Sequence, residues 1–198
     1  MLTLLEREDL PYIAHANVLF CLGKQCDSQD LSLLLEAAKS DYMGFHGFVR
    51  SGAYRGLAET RSPEAYAFLK ERVSYGVERE DLRPVLVVCL GQCASMLDKL
   101  TQRECAEILA DLLRDPDWRV RNAAVESLVI LEAKHKVDDV SDLASSLAKQ
   151  HHPWLERKIS ALKSSGDESN ALKLKIDLDN LETKMKLLQE RIRILETK

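Results

Sequence analysis

The sequence predicts an all-α fold, a stacked array of helix pairs followed by one coiled-coil helix. Three observations carry that reading. A leucine that closes a helical phrase recurs at Leu22, Leu57, Leu90, Leu128 and Leu162, at intervals of 35, 33, 38 and 34 residues. Such a period belongs to repeats of two helices, each too thin to bury an apolar face alone. Leucine and alanine abound, aromatic residues make up 6% of the chain and β-branched runs are short, which favours helix over sheet. Near the C-terminus the apolar period changes to that of a coiled-coil seam.

The best-formed phrase is Asp115-Pro-Asp-Trp-Arg-Val-Arg-Asn-Ala-Ala-Val-Glu-Ser-Leu128. A short acidic turn runs into a helix on which Val120, Ala123, Ala124 and Leu128 share one face. The phrase returns at Val49-Arg-Ser-Gly-Ala-Tyr-Arg-Gly-Leu57, where Val49 stands for Val120, Arg50 for Arg121, Gly52 and Ala53 for Ala123 and Ala124, and Leu57 for Leu128.

The elements follow in order. Pro11 to Gly23 reads as a helix opened by proline and stopped by glycine. It looks like the second helix of a unit whose first is mostly missing. Met1-Leu-Thr-Leu-Leu is not the polar cap a repeat array needs, so the chain is expected to be cut from a longer polypeptide. Leu31, Leu34, Leu35 and Ala38 mark a helix from Asp30 to Ser40, with His46 to Glu59 as its partner. Gly52 and Gly56 each weaken that partner by about 1 kcal/mol relative to alanine, so close helix contact is expected there. Ser62-Pro63 caps a helix reaching about Tyr75, ended by Gly76. Arg83-Pro84 falls in the first turn of the next helix, and Val85 to Leu97 supplies its apolar face. Thr101-Gln-Arg-Glu104 reads as a capping box for a helix to about Arg114. Trp118, heading the next helix, reads as a packing plug between units.

Beyond Leu131, Lys134-His135-Lys136 reads as a solvated basic turn. Helices are expected at Val140 to Lys149 and Trp154 to Lys163, separated by a turn at His151-His152-Pro153. Ser164-Ser-Gly-Asp-Glu-Ser169 is a small, polar break. The predicted organisation is therefore a solenoid over 1–164 of about four and a half helix pairs, a linker at 165–170 and a tail at 171–198. In the tail, Leu174, Leu178, Leu181, Met185, Leu188, Ile192 and Leu195 advance alternately by four and three, a seam of about three and a half heptads. Glu182 and Lys186 at i, i+4 support it. One helix cannot bury such a stripe by itself. Self-association is the first expectation, and pairing with another segment of the protein the alternative.

Composition narrows the function. The 28 basic and 32 acidic residues leave a net charge of −4, with both signs mixed throughout, which argues against a nucleic-acid surface. No apolar run approaches the roughly 18 residues of a membrane span, and no signal-peptide pattern opens the chain. A cytoplasmic protein is expected. The five cysteines, Cys21, Cys26, Cys89, Cys93 and Cys105, lack a Cys-x-x-Cys pair and read as reduced, packed thiols. Cys89 and Cys93 lie one turn apart and His151-His152 are adjacent, yet neither pair has further ligands at metal spacing. No phosphate loop, nucleophile elbow or dinucleotide fingerprint is present. No cofactor is expected.

Asp115, followed after four residues by Val120-Arg121 and then Ala123-Ala124, resembles the inter-repeat motif of the HEAT-repeat family. That resemblance implies a right-handed α-α superhelix in which aspartate and arginine form a hydrogen-bonded ladder between units. The ladder residues would be Asp115 and Arg121, with Asp41 and Arg50 repeating them at a longer spacing. A narrower likeness covers nearly the whole chain. Phe48-Val-Arg-Ser-Gly-Ala-Tyr-Arg-Gly-Leu57, Tyr75-Gly76, Arg83-Pro84 with Leu90-Gly91, Leu112 to Arg121 and the closing heptad helix are similar to the C-terminal region of prokaryotic aminopeptidase N-like zinc metallopeptidases. Their zinc site needs H-E-x-x-H, two histidines one turn apart and a glutamate base. None of His15, His46, His135, His151 and His152 is followed by glutamate, and no two are spaced i, i+4. The Gly-x-Met-Glu-Asn substrate motif is absent too. The His-Glu pairs of HEAT-like iron hydroxylases and the basic aromatic groove of HEAT-like DNA glycosylases are also missing.

The expected function is a non-catalytic interaction and scaffolding module. Its partner would be another protein or the catalytic domain of a parent enzyme. A free-standing HEAT adaptor, docking a protein on its concave face, is the alternative.

Overall fold

The computed structural model describes residues 11–25, 28–40, 46–133 and 136–197. Among them are nine α-helices and no strand: α1 (Tyr12–Lys24), α2 (Ser28–Lys39), α3 (His46–Glu59), α4 (Pro63–Arg72), α5 (Arg83–Ser95), α6 (Lys99–Leu112), α7 (Trp118–Ile130), α8 (Val137–Ser164) and α9 (Glu168–Thr197). The chain divides into two compact units, Met1–Leu131 and Glu132–Lys198. The division falls earlier than the boundary at 164 that the sequence suggests, so α8 belongs with the tail helix.

In the first unit α1, α3, α5 and α7 pack successively on one another and form one layer. α2 lies against α1 and α3, α4 against α3 and α5, and α6 against α5 and α7, making the other. The anchoring leucines Leu22, Leu57, Leu90 and Leu128 are all buried in the first layer. Arg83 and Pro84 do open α5. Ser62 caps α4, its Oγ accepting from the N–H groups of Glu64 and Ala65 at 3.2 and 3.3 Å, with Pro63 at the first helical position. That helix ends at Arg72, short of Tyr75, and Gly76 at φ +79° shapes the loop that follows.

α6 starts earlier than its apparent capping box. Asp98 Oδ1 accepts from the N–H groups of Leu100 and Thr101 at 2.9 and 3.1 Å, while Thr101 Oγ1 donates to Asp98 Oδ2 at 2.7 Å. Those bonds hold the Asp98 carboxyl below its usual pKa, the Thr101 hydroxyl first among the causes. Thr101 therefore serves the cap from inside the helix.

Glycine decides the closeness of α1 and α3. A Cβ on Gly52 would stand 2.5 Å from Ala16 Cα, one on Gly56 2.5 Å from the Leu19 carbonyl oxygen, and one on Gly23 2.1 Å from the Gly56 carbonyl oxygen. The order 16, 19, 23 against 52, 56, 56 shows the two helices running parallel. Between α5 and α7 the same role falls to Gly91, where a Cβ would meet Ser127 Cβ at 2.5 Å. Ser127 is itself buried and donates to the Val87 and Ala123 carbonyls at 3.1 and 2.8 Å.

The second unit is the packed pair α8 and α9. α8 is one helix of 28 residues with Pro153 inside it, a correction to the two helices and the His151-His152-Pro153 turn that the sequence suggests. Buried Val140, Ala144, Leu155 and Ile159 advance by 4, 11 and 4, so the apolar stripe stays in phase across the proline. That continuity outweighs one missing backbone hydrogen bond. The polar break is a tight turn. Gly166 at φ +78° donates its N–H to the Lys163 carbonyl at 3.2 Å, and Asp167 to that of Leu162 at 3.0 Å, a Schellman ending. Asp167 Oδ1 then accepts from the Asn170 N–H at 3.3 Å, and α9 returns along α8.

Candidate functional site: an arginine ladder and the face beside it

Four charged side chains are buried among the described residues, and they form two pairs: Arg50 with Glu78, and Arg83 with Asp115. Both follow one rule. Counting back seven residues from the anchoring leucine gives Arg50, Arg83 and Arg121 in α3, α5 and α7. Seven residues are two turns, so each guanidinium leaves the same face of its helix as its leucine. The carboxylates come from loops, Glu78 from that between α4 and α5 and Asp115 from that between α6 and α7.

Arg83 holds Asp115 with two bonds, Nη1 to Oδ1 at 3.2 Å and Nη2 to Oδ2 at 2.6 Å. Asp115 Oδ1 also accepts from the Asp117 N–H at 2.9 Å, and Asp117 in turn caps α7 by accepting from the Arg119 N–H at 2.9 Å. The pair thus fixes the entry of α7. One rung earlier, Arg50 Nη2 donates to Glu78 Oε2 at 2.7 Å, Tyr54 donates its hydroxyl to the same oxygen, and Arg72 Nε approaches at 3.3 Å. The Arg79 N–H binds the other Glu78 oxygen at 2.8 Å. Burial first, and then the Glu78 carboxylate, push the Tyr54 phenol up to about 12. In both arginines Nε is buried without a hydrogen-bond partner, so the rungs share their imperfection as well as their register.

The sequence-derived ladder residues are placed as follows. Asp115 is paired with Arg83, and Arg50 with Glu78. Arg121 stays within its own unit, its Nη1 donating to the carbonyls of Asp115 and Pro116 at 2.7 and 3.0 Å. Asp41 lies outside the described residues, and the partner of Arg50 is Glu78. Glu78 and Arg83 are not in the motif, although the constant offset from leucine identifies Arg83. His15 holds the same offset from Leu22, and burial lowers its pKa. Of the seam, Leu188 and Leu195 are buried, Leu174, Leu178, Met185 and Ile192 are half-buried, and the Leu181 side chain is outside what is described.

Beside the ladder, α1, α3, α5 and α7 border a groove of about 530 Å3. Val85, Val88 and Ala123 contribute apolar lining, Phe20 and Trp118 come from its outermost helices, and Arg55 enters from α3. Trp118 is 46% exposed, so it lines the groove and does not plug a seam. Among the described residues no group of three or more His, Cys, Asp or Glu could hold a metal ion. The Cys89 and Cys105 thiols are pushed up to about 12 by burial, as is Cys93, which makes them poor nucleophiles at neutral pH. Among the described residues no helix is long and apolar enough to cross a membrane. What the arrangement offers is an open, mostly apolar recess with charged edges.

In comparisons with known proteins, no family model and no curated protein matches the chain.

Proposed function

We propose that the chain is a non-catalytic, HEAT-like protein-interaction module that takes its partner on the face formed by α1, α3, α5 and α7. The observation that carries this reading is the repeated rung. Both buried ion pairs link one helix of that layer to the loop of the next unit, which supports a repeat array whose side chains are committed to stacking. Recognition is then left to the groove. The likeness to aminopeptidase N-like C-terminal regions suggests one setting, in which the module stands beside a zinc peptidase domain. Sequencing the coding region upstream tests it: an H-E-x-x-H domain in frame is expected, and a separate gene without one would refute it. For the module itself, cross-linking capture with the full chain and with Val88→Glu is decisive. A partner recovered with the first and lost with the second is expected. An unchanged set of captured proteins would refute the groove as the docking face.

Self-association through α9 is a second reading, favoured by one observation. Leu172, Ile176 and Leu187 are exposed and, at spacings of 4 and 11, share a face away from the heptad seam. Sedimentation should show concentration-dependent dimers that Ile176→Lys abolishes. A monomer at every concentration would exclude them.

A further inference from the structure

Resting on the self-association reading, we infer that α9 pairs antiparallel with α9 of a second copy, about a two-fold axis near Thr183. The heptad seam is spent within the chain: Leu188 and Leu195 are buried, and α8 is packed on α9. What stays open is the opposite face, where Leu172 is 61%, Ile176 53% and Leu187 48% exposed. Between Ile176 and Leu187 the exposed described residues are all polar. The face therefore carries an apolar patch toward each end of the helix and a polar middle.

Charge selects the direction of pairing. Asp179 and Lys186 are seven residues apart, two turns of helix, and so lie in one column on that face. Both are exposed, and neither side chain has a hydrogen bond or ion pair among the described residues. An antiparallel copy brings each Asp179 to Lys186 of the second copy, so both pairs form at once. The same arrangement lays Ile176 on Leu187, and Leu172 on half-buried Ile194, of the second copy. The midpoints of these three pairings fall within two residues of one another, so one axis serves them all. Thr183 stands on that axis, and its hydroxyl already donates to the Asp179 carbonyl at 2.9 Å, which leaves no unmet donor in the contact. A parallel copy in register would instead set Asp179, Lys186 and Glu190 each level with its own duplicate, like charge beside like. The apolar patches are small, so the dimer is weak and dependent on concentration.

Sedimentation of the full chain at low ionic strength, where surface charge pairs are least screened, provides the test. Asp179→Lys and Lys186→Asp should each weaken dimerisation by about tenfold, because each sets two like-charged pairs across the axis. Both substitutions in one chain re-form the pairs with their signs exchanged and should restore the dimer, which separates the effect from misfolding, with helical circular dichroism unchanged throughout. A dimer that Ile176→Lys abolishes but neither charge reversal weakens would overturn the antiparallel pairing and leave self-association standing. A double variant that stays as weak as the single ones would overturn it as well. A wild-type chain that is monomeric at every concentration would remove the self-association reading and this inference together.

Discussion

Replacing Gly56 with alanine inverts an ordinary rule. In an exposed helix the change stabilises by about 1 kcal/mol, because alanine loses less backbone freedom on folding. At Gly56 the new methyl would stand 2.5 Å from the Leu19 carbonyl oxygen and 2.8 Å from Leu34 Cδ2. The first of these is backbone and has no rotamer to change. Separating α1 from α3 by even part of an ångström also loosens contact around Leu19, Leu22 and Ala53, all buried. Overpacking of this kind costs about 1–3 kcal/mol. Set against the gain in helix propensity, a net loss of up to about 2 kcal/mol is expected, the rigid backbone contact placing it toward the upper end. Gly47 is the internal control, since its nearest neighbour, Asp81 Oδ2, would be 3.6 Å from a new Cβ. Urea unfolding followed by circular dichroism at 222 nm should show a lower midpoint for Gly56→Ala and an equal or higher one for Gly47→Ala. A raised midpoint for Gly56→Ala would refute the close parallel packing of α1 on α3.

Other outcomes follow from the same structure. Arg83→Met leaves Asp115 buried without its partner and should cost about 3–5 kcal/mol, whereas Arg121→Met, which loses bonds to carbonyls at a half-buried site, should cost about 1–2 kcal/mol. Urea midpoints in the reverse order would place the ladder elsewhere. Iodoacetamide at pH 8 should label exposed Cys21 in the folded protein and reach Cys89, Cys93 and Cys105 only after unfolding, as mass spectrometry of tryptic peptides would show. Pro153→Ala should restore a backbone bond within α8 and raise stability by up to about 3 kcal/mol. An unchanged thermal midpoint would mean that α8 is already broken there.

Much of the architecture is visible in the residues themselves. The leucine period locates α1, α3, α5 and α7, and Gly52 and Gly56 announce a close contact because only proximity offsets their cost. Other features depend on distance in space. Glu78 sits in a polar loop with nothing local to distinguish it, and its burial becomes evident only when Arg50, 28 residues away, arrives beside it. Thr101-Glu104 imitates a cap because a capping box is a local pattern, but Asp98, three residues earlier, takes the Thr101 N–H that Glu104 would have bound, and Glu104 turns to Tyr66 and Lys70 instead. Pro153 reads as a break until the stripe is counted across it. Trp118 misleads for a different reason: its size suggests burial, but at the very start of α7 it is 46% exposed.

The fixed offset between arginine and leucine also says where this chain tolerates length changes. The leucines are 35, 33 and 38 residues apart in the first unit, yet every arginine precedes its leucine by seven. One residue added between them would swing the guanidinium by about 100° around the helix, away from its carboxylate. Residues are therefore gained or lost most cheaply in the connecting turns, which absorb variation while the layer of α1, α3, α5 and α7 keeps time.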